Sequence, residues 1–207
     1  MKLALPIVVL TFLTAFYFYP SMPDNMASHW GMNGNVNGYA PKAQLMFLMP
    51  VLSLVIYGLL LIMPMIDPLG KNISKFRNYY ENFMIMIVAF LLYVFTLTIA
   101  WNSGYVFNFS VAMIPAFSVF LFYVGVVMEH AKRNWSIGIR TPWTMSDDRV
   151  WTKTHEVGGK VIRASAVITL LGIFAGNLAI YFVIVPILVT VMALFVYSFF
   201  IFRKYHK

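Results

Sequence analysis

Cysteine is absent from the 207 residues. Disulfides, thiolate nucleophiles, iron–sulfur clusters and cysteine zinc sites are thereby excluded together. Charge is scarce as well: 11% of the residues are Asp, Glu, Lys or Arg, against about 25% in a soluble domain. None of these, and no histidine, falls within the long apolar runs. Intramembrane charges mark proton relays and voltage sensors, so their absence argues against both. No glycine-rich phosphate loop, HExxH-type spacing or nucleophile elbow is present.

Apolar residues dominate instead, at 61% of the chain, with a mean hydropathy of +0.78. A core of this size cannot hide so much apolar surface, so lipid must solvate much of it. Six runs stand out, at 3–19, 44–63, 83–101, 109–128, 164–183 and 186–202. Each approaches the ~20 residues that a helix needs to cross a bilayer, and unpaired backbone is prohibitive there, so all six are expected to be helices. The expected fold is an all-α membrane protein, a six-helix transmembrane bundle. The last two runs read as a tight hairpin breaking near Pro186. The first run lacks a small-residue cleavage site and is expected to stay as an anchor.

The formal charge of +8 would raise nucleic acid in a soluble protein; here it is first a topology signal. Alternation over six helices gathers fourteen of the fifteen Lys and Arg on one side and leaves Lys42 on the other. The positive-inside rule makes the rich side cytoplasmic, with both termini in the cytoplasm. The second, fourth and sixth runs share an apolar–proline start, Met49-Pro50, Ile114-Pro115 and Val185-Pro186, followed by Ser53, Ser118 and Thr190. Two readings stand: three hairpin repeats, or proline marking helix starts.

Two polar loops interrupt the bundle. The outer one, from Tyr19 to Lys42, is rich in Gly, Asn and Pro, and Asn33-Gly34 is a tight-turn pair. Asp24 is placed to cap a short helix carrying His29 and Trp30. One His and one Asp make a poor metal site. The plainer alternative has Trp30 and Tyr39 as interfacial anchors. In the inner loop, 129–160, Thr144 and Asp147 read as a capping box for a helix from about Met145 to Val157. Gly158-Gly159 is its expected end. Trp135, Trp143 and Trp151 lie among cations, as in a segment at headgroup level. Glu129, His130 and His155 are weak metal candidates, with Glu156 and Asp147 beside them, against a loop held simply by hydrogen bonds.

The stretch Asn134-Trp135-x-Ile137-Gly138-Ile139-Arg140-Thr141-Pro142-Trp143-Thr144, with Val150-Trp151-x-x-Thr154-His155-x-x-Gly158-Gly159, resembles the signature of the SdpI family. That family is named for an immunity protein of the bacterial sporulation-delaying-protein system. The outer stretch His29-Trp30-Gly31-x-Asn33-Gly34 through Gly38-Tyr39-x-Pro41-Lys42 is similar to the small domain of unknown function that usually precedes it. The resemblance implies a multi-pass plasma-membrane protein, not an enzyme and without a cofactor, that protects against a secreted toxin. It also implies that a cytoplasmic transcriptional repressor is held at the membrane, with no direct binding of nucleic acid.

On that basis the ligand- or toxin-binding residues are expected to be Asp24, His29, Trp30, Asn33, Gly34 and Tyr39. Those docking a soluble partner are expected to be Trp135, Arg140, Thr141, Pro142, Trp143, Trp151 and His155. The chain divides into a first hairpin with its outer loop, 1–63, and a four-helix region, 64–207. A transporter or exporter of a small amphiphile is the alternative, and a membrane-bound metal-dependent enzyme a further one.

Overall fold

The computed structural model describes residues 3–206, so Lys2 and Lys207 of the charge argument lie outside the described residues. Among the described residues, six helices are long and apolar enough to cross a membrane. In order the elements are α1 (Ala4–Phe18), β1 (Asn25–Trp30), β2 (Val36–Pro41), α2 (Lys42–Ile66), α3 (Gly70–Ile73) and α4 (Arg77–Asn102). There follow α5 (Phe109–His130), α6 (Pro142–Ser146), α7 (Asp148–Leu171) and α8 (Tyr181–Tyr205). Alternation of the spans gives the bundle a hairpin end and an opposite, basic end.

The helices pack as a chain of neighbours. α1, α2 and α4 form one group, α4 packs on α5, α5 on α7, and α7 on α8. A core at the hairpin end holds Ala15, Met26, Met46, Phe95 and Ile99. A larger one, reaching the basic end, runs from Ala4, Val8 and Met84 to Val127 and Trp151. The outward faces of α1, α2 and α8 stay apolar and exposed, as at Phe16, Leu54 and Phe200. Such faces suit lipid rather than water.

Several expectations from the sequence are corrected. The segment around His29 and Trp30 is a strand, not a helix capped by Asp24: β1 pairs antiparallel with β2, from Asn25 opposite Pro41 to Trp30 opposite Val36. Alternation buries Met26 while turning Asn25 outward, and the Gly-Asn turn closes the ribbon. Gly158-Gly159 does not end a helix but lies inside α7. The place of a side chain is occupied at both: a Cβ on Gly159 would sit 2.6 Å from the Gly125 carbonyl of α5, and one on Gly158 2.3 Å from the Ile139 side chain. The break between the last two spans is not at Pro186. It falls at the 3-10 segment Gly172–Leu178, where Gly176 takes φ +54, a conformation that only glycine adopts freely. Thr141, not Thr144, heads the capping box, closing it with Thr144 over α6, and Asp147 caps α7.

Pro50, Pro115 and Pro186 do not start their helices but lie inside α2, α5 and α8. A proline in a helix leaves the carbonyl four residues earlier without its amide, and in lipid that group needs another partner. Neighbouring hydroxyls supply it at two places. Thr169 donates to Phe182, the acceptor freed by Pro186, at 2.9 Å, and Tyr80 donates to Leu60, freed by Pro64, at 2.6 Å.

Candidate functional site

At the hairpin end, the β-ribbon is fixed by side chains from distant helices. Asn102, at the end of α4, accepts from the Ala27 amide at 2.7 Å and donates to the Ala27 carbonyl at 3.1 Å. It thereby occupies main-chain groups on the free edge of β1. The turn is held by the Gly31 amide donating to Asn35 at 2.8 Å. Gly34 there takes φ +78, and a Cβ on it would overlap Asn108 at 2.2 Å. Asn108 also caps α5 through Val111. Lys42 pairs with Asp24 at 3.1 Å.

The six expected ligand residues thus share one ribbon. Asp24, His29, Asn33 and Tyr39 are exposed, Trp30 is half-buried and Gly34 is buried. The His29 ring bonds Asn37 across the strands. Trp30 stacks on Phe109 with ring centroids 3.8 Å apart, yet its buried indole N–H has no partner among the described residues. That is unusual, since a buried donor left unpaired costs about 1–3 kcal/mol. Beneath the ribbon Trp30 lines a cavity of about 380 Å³ with Leu45, Val94, Phe117 and Val183.

At the basic end, the loop before α6 folds around Asn134. Its Oδ1 accepts from the amides of Ser136 and Ile137, and its Nδ2 donates to the carbonyls of Lys132 and Ile137. Asp67, after α2, accepts from the Trp135 amide at 2.9 Å and from the Ser136 hydroxyl. Gly138 takes φ +146, and a Cβ there would strike Trp151 at 2.4 Å. Ile139 donates its amide to His155 Nε2 at 2.8 Å. Nε2 must therefore be the acceptor, so the proton sits on Nδ1, which donates to the Trp151 carbonyl at 2.8 Å. The Trp151 indole donates to Ala131 at 2.8 Å.

The seven expected docking residues divide on burial. Thr141, Trp151 and His155 are buried and form the inner support of the loop. Their polar atoms bond within the protein, Thr141 to Ser198 of α8, the Trp151 indole to Ala131 and the His155 ring to Ile139 and Trp151. Trp135, Arg140 and Pro142 are exposed, and Trp143 is half-buried against Phe195 and Phe199 of α8. The guanidinium of Arg140 donates to the Trp135 carbonyl. Asp67 was not singled out in the sequence, and Asn134 entered there only as the first residue of the resembled signature, without a role. The signal available was a lone carboxylate closing an apolar run at Asp67-Pro68, and an Asn opening the loop.

The metal candidates do not converge. Glu129 makes a two-point ion pair with Arg163, at 2.6 and 2.9 Å. His130 bonds Val126 and stacks on Tyr79, while both His155 nitrogens are used as described. Among the described residues no three such ligands cluster.

A bundle of six spans, an ordered polar ribbon at one end and a hydrogen-bonded cationic loop at the other define a multi-pass membrane protein whose differentiated parts lie outside its core. Residues 130–198 match the SdpI/YfhL protein family, and residues 7–54 match a domain of unknown function, DUF1648. Over 202 residues the chain is 29% identical to the immunity protein SdpI of Bacillus subtilis (strain 168), covering 97% of this chain and 93% of that protein. The two matched stretches follow one another along the chain, the DUF1648 match first. No solved structure matches it.

Proposed function

We propose that this chain is an immunity protein of the plasma membrane, with the β-ribbon outside and the basic end and both termini in the cytoplasm. The observation that carries the reading is its similarity to the immunity protein SdpI along nearly the whole of both chains. The ribbon supports it physically. An exposed polar surface at His29, Asn33 and Tyr39 lies over an apolar cavity with an unpaired indole donor, which suits a secreted, membrane-active peptide or protein toxin. The exposed residues of the basic loop, Trp135, Arg140 and Pro142, offer a surface to a soluble partner such as a repressor. No catalysis is needed.

The test is survival. Bacillus subtilis cells lacking their own SdpI and expressing this chain are challenged with the sporulation-delaying toxin. Survival that is lost with Trp30→Ala, at unchanged membrane abundance, is the expected result; killing of cells that hold the intact chain in the membrane counts against immunity to that toxin. Because the chain has no cysteine, single replacements report orientation cleanly. Met32→Cys should react with an impermeant maleimide on whole cells, and Ser146→Cys only after permeabilisation.

Lateral cavities between helices also favour a second reading, export of a small amphiphile. Flux of a labelled amphiphile in proteoliposomes separates it from immunity by binding alone.

A further inference from the structure

A second cavity lies at the basic end, apart from the ribbon. It measures about 390 Å³, within the range of about 300–1,000 Å³ typical of small-molecule sites. Leu121 and Val124 of α5, Ile162 of α7, and Ile187, Leu194 and Phe195 of α8 form its walls. The segment Gly138–Thr141 forms its rim. The walls are apolar, and two of the lining residues, Val191 and Phe195, are exposed on the outside of the bundle. The surroundings of such a face are bilayer.

Arg140, on the rim, is the one charged residue among the described residues of the lining. Arg133 and Arg149, in the same region, pair with Asp148 and Asp147. Arg140 has no carboxylate partner among the described residues. One of its N–H groups is used on the Trp135 carbonyl, so most of its five donors remain free. Its position is set by built structure: Ile139 is tied to His155 and Thr141 caps α6. Trp143 rests on Phe195 and Phe199, and tryptophan is enriched at membrane interfaces. Arg203, over Phe199 at 5.8 Å, adds a second cation to this side.

We propose that this cleft is a binding site for an anionic phospholipid, one acyl chain in the cavity and the phosphate on Arg140. Charge complementarity selects the headgroup, since a guanidinium matches phosphate oxygens in two-point geometry. The walls select a chain over a helix. Transmembrane helices dock on small residues that let backbones approach, whereas these walls are Leu, Ile, Val and Phe. Of the hydroxyls on the lining, Ser165 and Thr190 already bond each other at 2.7 Å, and Thr141 bonds Thr144 and Ser198. The inference does not depend on immunity.

The experiment reconstitutes the full chain in phosphatidylcholine nanodiscs containing a minority of phosphatidylglycerol. Lipid retained after gentle extraction is then measured by native mass spectrometry. The expected result is roughly tenfold enrichment of phosphatidylglycerol on the wild type, as charge-assisted hydrogen bonds to one guanidinium would give. Arg140→Gln should remove that preference and Arg140→Lys restore part of it. Leu121→Trp, which fills the cavity, should lower retention of both lipids, and Lys75→Gln should change nothing. Equal retention of the two lipids by the wild type overturns the proposal, as does unchanged enrichment on a monodisperse, helical Arg140→Gln protein. Displacement of the lipid by inorganic phosphate overturns it too, by making this a site for free phosphate. The wild-type arm decides even if a variant fails to fold.

Discussion

The hydroxyl of Tyr80 donates a 2.6 Å hydrogen bond to the carbonyl of Leu60, the acceptor that Pro64 leaves without an amide. Both residues are buried, Tyr80 at 2% and Leu60 at 8% exposure. The bond joins α2 to α4 where a helix alone could not satisfy its own backbone. Tyr80→Phe should therefore lower stability by about 1–3 kcal/mol, the range for an orphaned buried polar group. In a Pro64→Ala background, where the amide returns, the same substitution should cost clearly less. Thermal unfolding of the four proteins in one detergent measures the coupling.

Asn102 should act as a latch for the ribbon. Asn102→Ala removes both bonds to Ala27 and exposes a strand edge. The expected outcome is faster amide exchange and proteolysis within 25–41, with the helical content by circular dichroism unchanged. Unaltered protection of the ribbon would show that Asn102 does not hold it.

Two glycines should respond in opposite directions to alanine. Gly125 faces α7 so closely that a Cβ would lie 2.7 Å from both the Gly159 carbonyl and the Arg163 side chain. Gly125→Ala should destabilise by about 1–3 kcal/mol through overpacking. Gly58 has nothing within 4 Å of such an atom. Gly58→Ala should stabilise α2 by about 0.5–1 kcal/mol, because glycine surrenders more backbone entropy in a helix. Melting temperatures in matched detergent check both signs.

Acid should weaken the corner between α6 and α7. The Arg149 side chain, with help from the amides of Arg149 and Val150, holds the Asp147 carboxyl at about 2, below its ordinary 3.8. A depressed carboxylate contributes stability that is present in full above its unfolded value and is lost as pH falls through the folded one. The gap in melting temperature between wild type and Asp147→Asn should be constant at neutral pH. It should narrow below about pH 4 and close near pH 2.

The amino-acid sequence by itself determined the class and the span count. Apolar runs of bilayer length leave backbone no partner but itself, so helices and their number follow from composition and spacing. It also marked both polar loops, since Gly, Asn and Trp cluster where spans end. Tertiary contacts decided the rest. Whether Gly158-Gly159 stops a helix or lets another approach depends on what stands beside it, and Gly125 stands there. Whether 25–30 is helix or strand depended on a partner six residues further on and on Asn102, far along the chain. Trp151 and His155 read as a surface, but the fold turned them inward, because Gly138 leaves room for the indole and Ile139 offers its amide. Local sequence states what a residue can do; which of its options is used depends on groups brought close only by folding.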